Sequence, residues 1–408
     1  MPYQTLAKLF HQNSSADRYA DLERLAAERL VSESSVRTGI ILEAGELFFL
    51  VTPELALLSE KTLRSERTVS RVWQELPQVA QRAYLHDLIN AEIFYSNEIE
   101  GVRSTRREIA EALRNVQEAK REQRTLGQKR FVEFAALYLG LTDQQGVYPE
   151  TARDIRAIYD QVTAGEIAEN DRPDGKIFRA GSVEVVSAAK TLHAGVFPEQ
   201  RIIEVIEGML ALTKDESIPQ LYSAALSHFI FEYAHPFYDG NGRTGRYLLS
   251  VFLNESLSLP TVLSLSRTIA EHKAAYYAAF EETEDPLNHA DATVFIFQML
   301  TLLRLAQSTL LDNLLSKQKA LKDAQQRIGA RAALDSHAKD ALYLLAQDGL
   351  FSAYPGVSAL EVAETLQVGA QTARKYLAGL EACGLAEPIS LRPKRFALSE
   401  DGAKQLGL

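Results

Sequence analysis

One histidine, one aspartate, two arginines and three glycines crowd into twelve consecutive residues, His235-Pro236-Phe237-Tyr238-Asp239-Gly240-Asn241-Gly242-Arg243-Thr244-Gly245-Arg246. These types at this spacing suit chemistry on a phosphate. The helical stretch before them, SAALSHFIFEYA, is expected to halt at His235, because the residue before a proline is biased away from helical geometry. Gly240 and Gly242 allow a tight turn with open backbone N–H groups, and a helix starting there adds its positive end, which together make an anion site. Arg243 and Arg246 are three apart, so on that helix they share a face and are placed to grip adjacent phosphates. Asp239 offers a hard oxygen to Mg2+, which takes one or two carboxylates alongside phosphate oxygens. Asn241 is expected to donate to a phosphate oxygen, and Phe237 to pin the loop to the core. His235 carries an imidazole of ordinary pKa about 6.5, suited to general-base work near neutral pH.

Three rival readings of the loop fail. Gly240-x-Gly242-x-x-Gly245 has the spacing of a dinucleotide fingerprint, but that motif needs a preceding strand and a βαβ unit, and the run before it reads as helix. The sequence contains neither HRD- and DFG-type kinase motifs nor a GxxxxGK[ST] loop.

Helices dominate the elements that must position this loop. Leu85, Leu88, Ile89 and Ile93 recur at three- and four-residue steps between Val79 and Glu100, marking one buried face that stops at Gly101. The same patterning predicts helices at 19–31, 104–122, 127–140, 151–163, 199–213, 217–234, 243–256, 269–283 and 291–325. Strand-like runs around Gly45 suggest a small hairpin, and residues 183–198 read as a second hairpin or flap. From about residue 336, three helices (337–348, 358–366, 370–382) precede two short strands (385–390, 395–398), the order of a winged helix.

At 408 residues the chain exceeds one ordinary core, so two or three domains are expected. The net charge of −10 leaves any nucleic-acid contact to a local patch. The lone cysteine, Cys383, forms no internal disulfide and fits a reducing compartment. The absence of an eighteen-residue apolar run or a signal core predicts a cytoplasmic protein with no membrane span.

The run HPFYDGNGRTGR resembles the Fic signature HPFx[DE]GNGRxxR, matching all nine specified positions. The resemblance implies a mainly α, helical Fic fold with a small β-hairpin flap, here joined to a C-terminal winged helix-turn-helix domain. The expected division is an N-terminal region (1–78), a Fic core (79–300), a helical linker (301–335) and the winged helix (336–408). It implies transfer of AMP from Mg-ATP to a Ser, Thr or Tyr hydroxyl of a target protein, with self-modification among the outcomes. By resemblance His235 deprotonates the hydroxyl, Asp239 holds Mg2+, Gly240, Asn241 and Gly242 cradle the α- and β-phosphates, and Arg243 and Arg246 hold the β- and γ-phosphates. Related Doc-type kinases carry lysine where Arg243 stands, which favours nucleotidyl transfer here.

Ser96-Asn97-Glu98-Ile99-Glu100-Gly101 resembles the family's inhibitory motif [ST]xxxE[GN]. By that likeness Glu100 pairs with Arg246 and fills the place of the γ-phosphate, with Ser96 beside it. The flap resembles the hairpin on which a target segment lies as an added strand. Two alternatives stay open: removal of AMP by the same site, and a nucleotide-sensing regulator that binds DNA. His228, seven residues before His235, reads as structural because no third metal ligand is near. Tyr276-Tyr277 suits either the base side of the pocket or the core.

The C-terminal module presents Gln371, Thr372, Arg374, Lys375 and Tyr376 on its third helix, with Arg392, Lys394 and Arg395 at the wing. Residues 336–408 hold seven Lys or Arg against eight Asp or Glu, short of a strongly basic domain, so DNA and protein docking weigh evenly. The amphipathic 301–335 stretch equally suits a homodimer contact.

Overall fold

The computed structural model describes residues 3–122, 125, 130–142, 148–187, 190–391 and 394–408. The chain folds mainly into helices and divides into two compact units, residues 1–66 with 91–307, and residues 67–90 with 308–408.

The first unit is built around two helices that contact each other, Gln220–Ala234 and Asn241–Leu253. All thirteen residues of the second are buried, as are all but two of the first. A helix apolar on nearly every side, as Gln220–Ala234 is, belongs inside a core. Glu199–Thr213 packs along Gln220–Ala234, and Ala152–Val162 against Asn241–Leu253. Helix Gln78–Ile99 brings Ile93 and Ser96 into this interior.

Strands β1 (Ser35–Leu42) and β2 (Gly45–Leu50) form the expected hairpin at Gly45, in register from Ser35↔Leu50 to Leu42↔Gly45 with one shift between Arg37 and Ile41. β3 (Glu184–Ser187) and β4 (Lys190–Ala194) make the second antiparallel hairpin, whose tip residues 188 and 189 lie outside the described residues.

Several helix bounds differ from those predicted. The single helix at 269–283 is two, Leu265–Glu271 and Lys273–Glu284, broken at His272, which leaves helical geometry at ψ 32°. The helix expected at 127–140 is described as Val132–Thr142 and follows Phe131 at φ 65°, while 127–129 lie outside the described residues. Helix Thr293–Gly329 is long and apolar enough in length and composition to cross a membrane. Its Phe295, Ile296, Met299, Leu300 and Leu303 are nonetheless buried within the protein, as in the core helix of a folded domain.

The second unit holds helices Ser336–Phe351, Ala359–Leu366 and Ala370–Ala382, with β5 (Val357–Ser358), β6 (Ala386–Leu391) and β7 (Lys394–Leu398) in the order β5-β7-β6. Leu342, Leu345, Val362, Leu377, Leu380 and Phe396 fill its core. Ser358 and Glu361 form a reciprocal capping box that starts the second helix. A two-residue β5 and a closing helix Glu400–Leu406 carried no signal strong enough to predict.

Candidate active site

The incoming helix Gln220–Ala234 ends where His235 turns left-handed, at φ 48° and ψ 59°. Phe237 then dives into the core, fully buried and stacked on Tyr159 with ring centroids 3.6 Å apart. Asn241 locks this turn: its Oδ1 accepts from the Phe237 N–H (3.0 Å) and its Nδ2 donates to the Phe237 carbonyl (2.8 Å). Both ends of the carboxamide expected to meet a phosphate thus have a partner in the loop, with one Nδ2 hydrogen to spare. Gly240 sits at φ 82°, where a side chain is strained, and a Cβ there would lie 2.6 Å from Thr163 Cγ2. Its N–H, expected to face a phosphate, donates to Asp239 Oδ1 at 2.6 Å. The outgoing helix begins at Asn241, so its first-turn amides have no partner within the helix and point their positive end toward the loop.

The two arginines part company. Arg246 lines an open cleft together with Glu100, Glu232, His235, Asp239 and Gly242. Arg243 does not line it: its Nη1 pairs with Glu166 Oε2 at 2.6 Å, and both side chains are buried. Glu166 lies beyond the helix Ala152–Val162 and has no sequence signal linking it to the loop.

Arg246 is 2% exposed, and Glu100 pairs with it from the end of helix Gln78–Ile99, Nη1 to Oε1, at 2.9 Å. Ser96, one turn earlier, takes the other donors: Nε to its Oγ (3.0 Å) and Nη2 to its carbonyl (2.8 Å). Burial works against the guanidinium charge, but Glu100, Tyr276 and Glu232 together outweigh it and hold the group protonated. The Glu100 carboxyl fits because Gly242 has no side chain; a Cβ there would lie 2.1 Å from Oε1.

Glu232 belongs to no motif in the sequence. It also lines the cleft, and its Oε1 is shut off from solvent with no hydrogen-bond partner. Burial, then the neighbouring Glu100 charge, pushes its pKa up to about 8. A lone carboxylate inside the apolar run SAALSHFIFEYA was the available signal. Because the folded pKa lies above the ordinary carboxyl value, Glu232 costs no stability below about pH 4 and progressively more as pH rises through 8. Glu232→Gln should thus leave thermal stability unchanged at pH 4 and raise Tm by about 2–4 °C at pH 9. Differential scanning fluorimetry checks this; an equal shift at both pH values would contradict it.

Tyr276, Tyr277 and Phe280 form an aromatic side of the same cleft. His228 is buried and bonded through Nε2 to the Tyr276 hydroxyl at 2.6 Å, and burial pushes its pKa down to about 3, so it is a neutral core histidine. No cluster of three or more His, Cys, Asp or Glu that could hold a metal occurs among the described residues.

Residues 149–253 match the model of the Fic/DOC family. The chain is 29% identical over 127 residues to Protein adenylyltransferase fic-1 of Caenorhabditis elegans, covering 30% of this chain and 24% of that protein. It is 35% identical over 86 residues to Protein adenylyltransferase Fic of Nematostella vectensis, covering 21% and 18%. The matched stretch thus spans a quarter or less of these relatives. A solved Fic family protein from Desulfovibrio desulfuricans G20 is 19% identical with a TM-score of 0.49, over 86% of this chain and 98% of that one. The residues matched to that family include His235, Asp239, Gly240, Asn241, Gly242 and Arg246 of the cleft.

Proposed function

We propose that the protein transfers AMP from Mg-ATP to a Ser, Thr or Tyr hydroxyl of a target protein, and that Glu100 holds this activity in check. The observation that carries the reading is the Glu100–Arg246 ion pair inside the cleft that His235 and the glycine turn also line. The names of the adenylyltransferase relatives support the same reaction.

In this reading the open amides of the outgoing helix and the Arg246 guanidinium bind the triphosphate once Glu100 withdraws. The His235 imidazole takes the hydroxyl proton, the freed oxygen attacks the α-phosphorus, and the bond to the β-phosphate breaks, releasing pyrophosphate. Asp239, exposed at the cleft, would hold Mg2+; one carboxylate suits an ion that completes its shell with phosphate and water oxygens. Bound there, Mg2+ supplies charge neutralisation on the phosphates. With α-labelled ATP and Mg2+ the label should reach a protein, and chelating the ion should remove it.

The second unit is read as a winged helix that docks a protein, in a chain that works in the cytoplasm. Two wing cations are already occupied: Arg395 donates to the Gly356 carbonyl and pairs with Glu361, and Lys394 pairs with Glu381. Arg392 lies outside the described residues, and Arg374 and Lys375 are exposed. The full chain should therefore give no gel shift with duplex DNA at low salt. A shift that weakens steeply with salt would favour the DNA-binding alternative instead.

A further inference from the structure

Arg179 is a buried cation that the loop chemistry above does not use. Its side chain is 0% exposed, and no carboxylate pairs with it among the described residues. Backbone carbonyls satisfy it instead. Nε donates to the His235 carbonyl at 2.7 Å, Nη1 to Gly181 at 2.5 Å, and Nη2 to Val196 at 2.7 Å and Ala234 at 3.3 Å. Its own N–H donates to the Pro236 carbonyl at 3.1 Å.

These acceptors fall into two groups. Ala234, His235 and Pro236 are the end of the incoming helix and the start of the loop, where carbonyls without partners in the helix carry partial negative charge; the Ala234 carbonyl also accepts from the Val196 N–H at 3.2 Å. Gly181 and Val196 flank the β3–β4 hairpin on its two sides. The guanidinium fork therefore ties both roots of the flap to the turn that carries His235. Gly195 clears the way, since a Cβ there would lie 2.6 Å from Nη2 and 3.1 Å from His235 Cβ. Tyr238 adds a lesser tie, accepting from the Gly181 N–H and donating to Asp174, each at 2.8 Å.

We propose that Arg179 is a positioning residue: it clasps the flap roots to the His235 turn, so that a hydroxyl carried by a segment lying on the flap arrives beside the imidazole. This deepens the AMP-transfer reading and rests on it for the acceptor. The phosphate-binding turn has its own anchors in Phe237 on Tyr159 and in the Asn241 clamp, so losing the clasp should damage the acceptor side and spare the nucleotide side.

The test uses the full chain carrying Glu100→Gly, with Arg179→Met, Arg179→Lys or Gly195→Ala added. Gly195→Ala displaces the fork without removing its charge. In Arg179→Met and Gly195→Ala, transfer from α-labelled ATP at saturation should fall about a hundredfold, the scale of a misplaced reacting group. Mg-ATP affinity by calorimetry should not change, and lysine should restore part of the loss. Amides at Gly195, Val196 and His235 should lose hydrogen-exchange protection while those of helix Asn241–Leu253 keep it. Unchanged exchange at those three amides, or ATP affinity falling as far as transfer, would overturn the proposal. A Glu100→Gly parent that transfers no label would sink the AMP reading alone, and the exchange measurement would still decide the clasp.

Discussion

His235→Ala should abolish label transfer from α-labelled ATP, with a loss of about 100- to 10,000-fold, the usual worth of a positioned general base. Mg-ATP affinity and thermal stability should stay close to those of the parent. The imidazole lines the cleft, with Nδ1 3.4 Å from the Glu232 carbonyl. The turn at 235 is held through its backbone, by the Phe231 carbonyl at its N–H and by Arg179 at its carbonyl, and alanine keeps both bonds. Lost transfer with retained ATP binding therefore isolates the proton-accepting role. Equal activity in the variant would remove His235 from the chemistry.

Glu100→Gly should raise both Mg-ATP affinity and the transfer rate, by about 5- to 150-fold, the ordinary range of coupling between an inhibitory contact and a ligand. The carboxylate occupies Arg246 Nη1 and the space over Gly242, where the open amides of the outgoing helix lie. Removing it frees that donor without freeing the arginine, because Ser96 still holds Nε and Nη2. Breaking a buried ion pair commonly costs 3–5 kcal/mol. Here Glu100 is 30% exposed and lies just past the helix end at Ile99, so the loss in Tm should be small. Calorimetry with Mg-ATP on parent and variant reads the gain; unchanged affinity would mean that Glu100 does not compete with the nucleotide.

Much of this was legible because one helix end and one helix start were written locally. The proline after His235, the glycines at 240 and 242, and the apolar run before them placed the turn within a residue or two. The Glu100–Arg246 pair was named from a motif and is present at 2.9 Å. What the sequence concealed are partners distant along the chain. Glu166 lies 77 positions from Arg243, and Arg179 lies 56 from His235, separations over which spacing carries no geometric information. Asn241 shows the opposite case: its side-chain partner, Phe237, is only four residues away, a local bond of the kind short polar side chains make.

In the proposed reaction the turn presents the α-phosphorus of ATP to a hydroxyl activated by His235. Incubating the Glu100→Gly chain with ATP labelled on either the α- or the γ-phosphate tests it most directly. Label on protein from the α-phosphate alone, absent in Glu100→Gly/His235→Ala, is the predicted result. Label carried over from the γ-phosphate would contradict it, because that outcome makes the terminal phosphorus the one attacked.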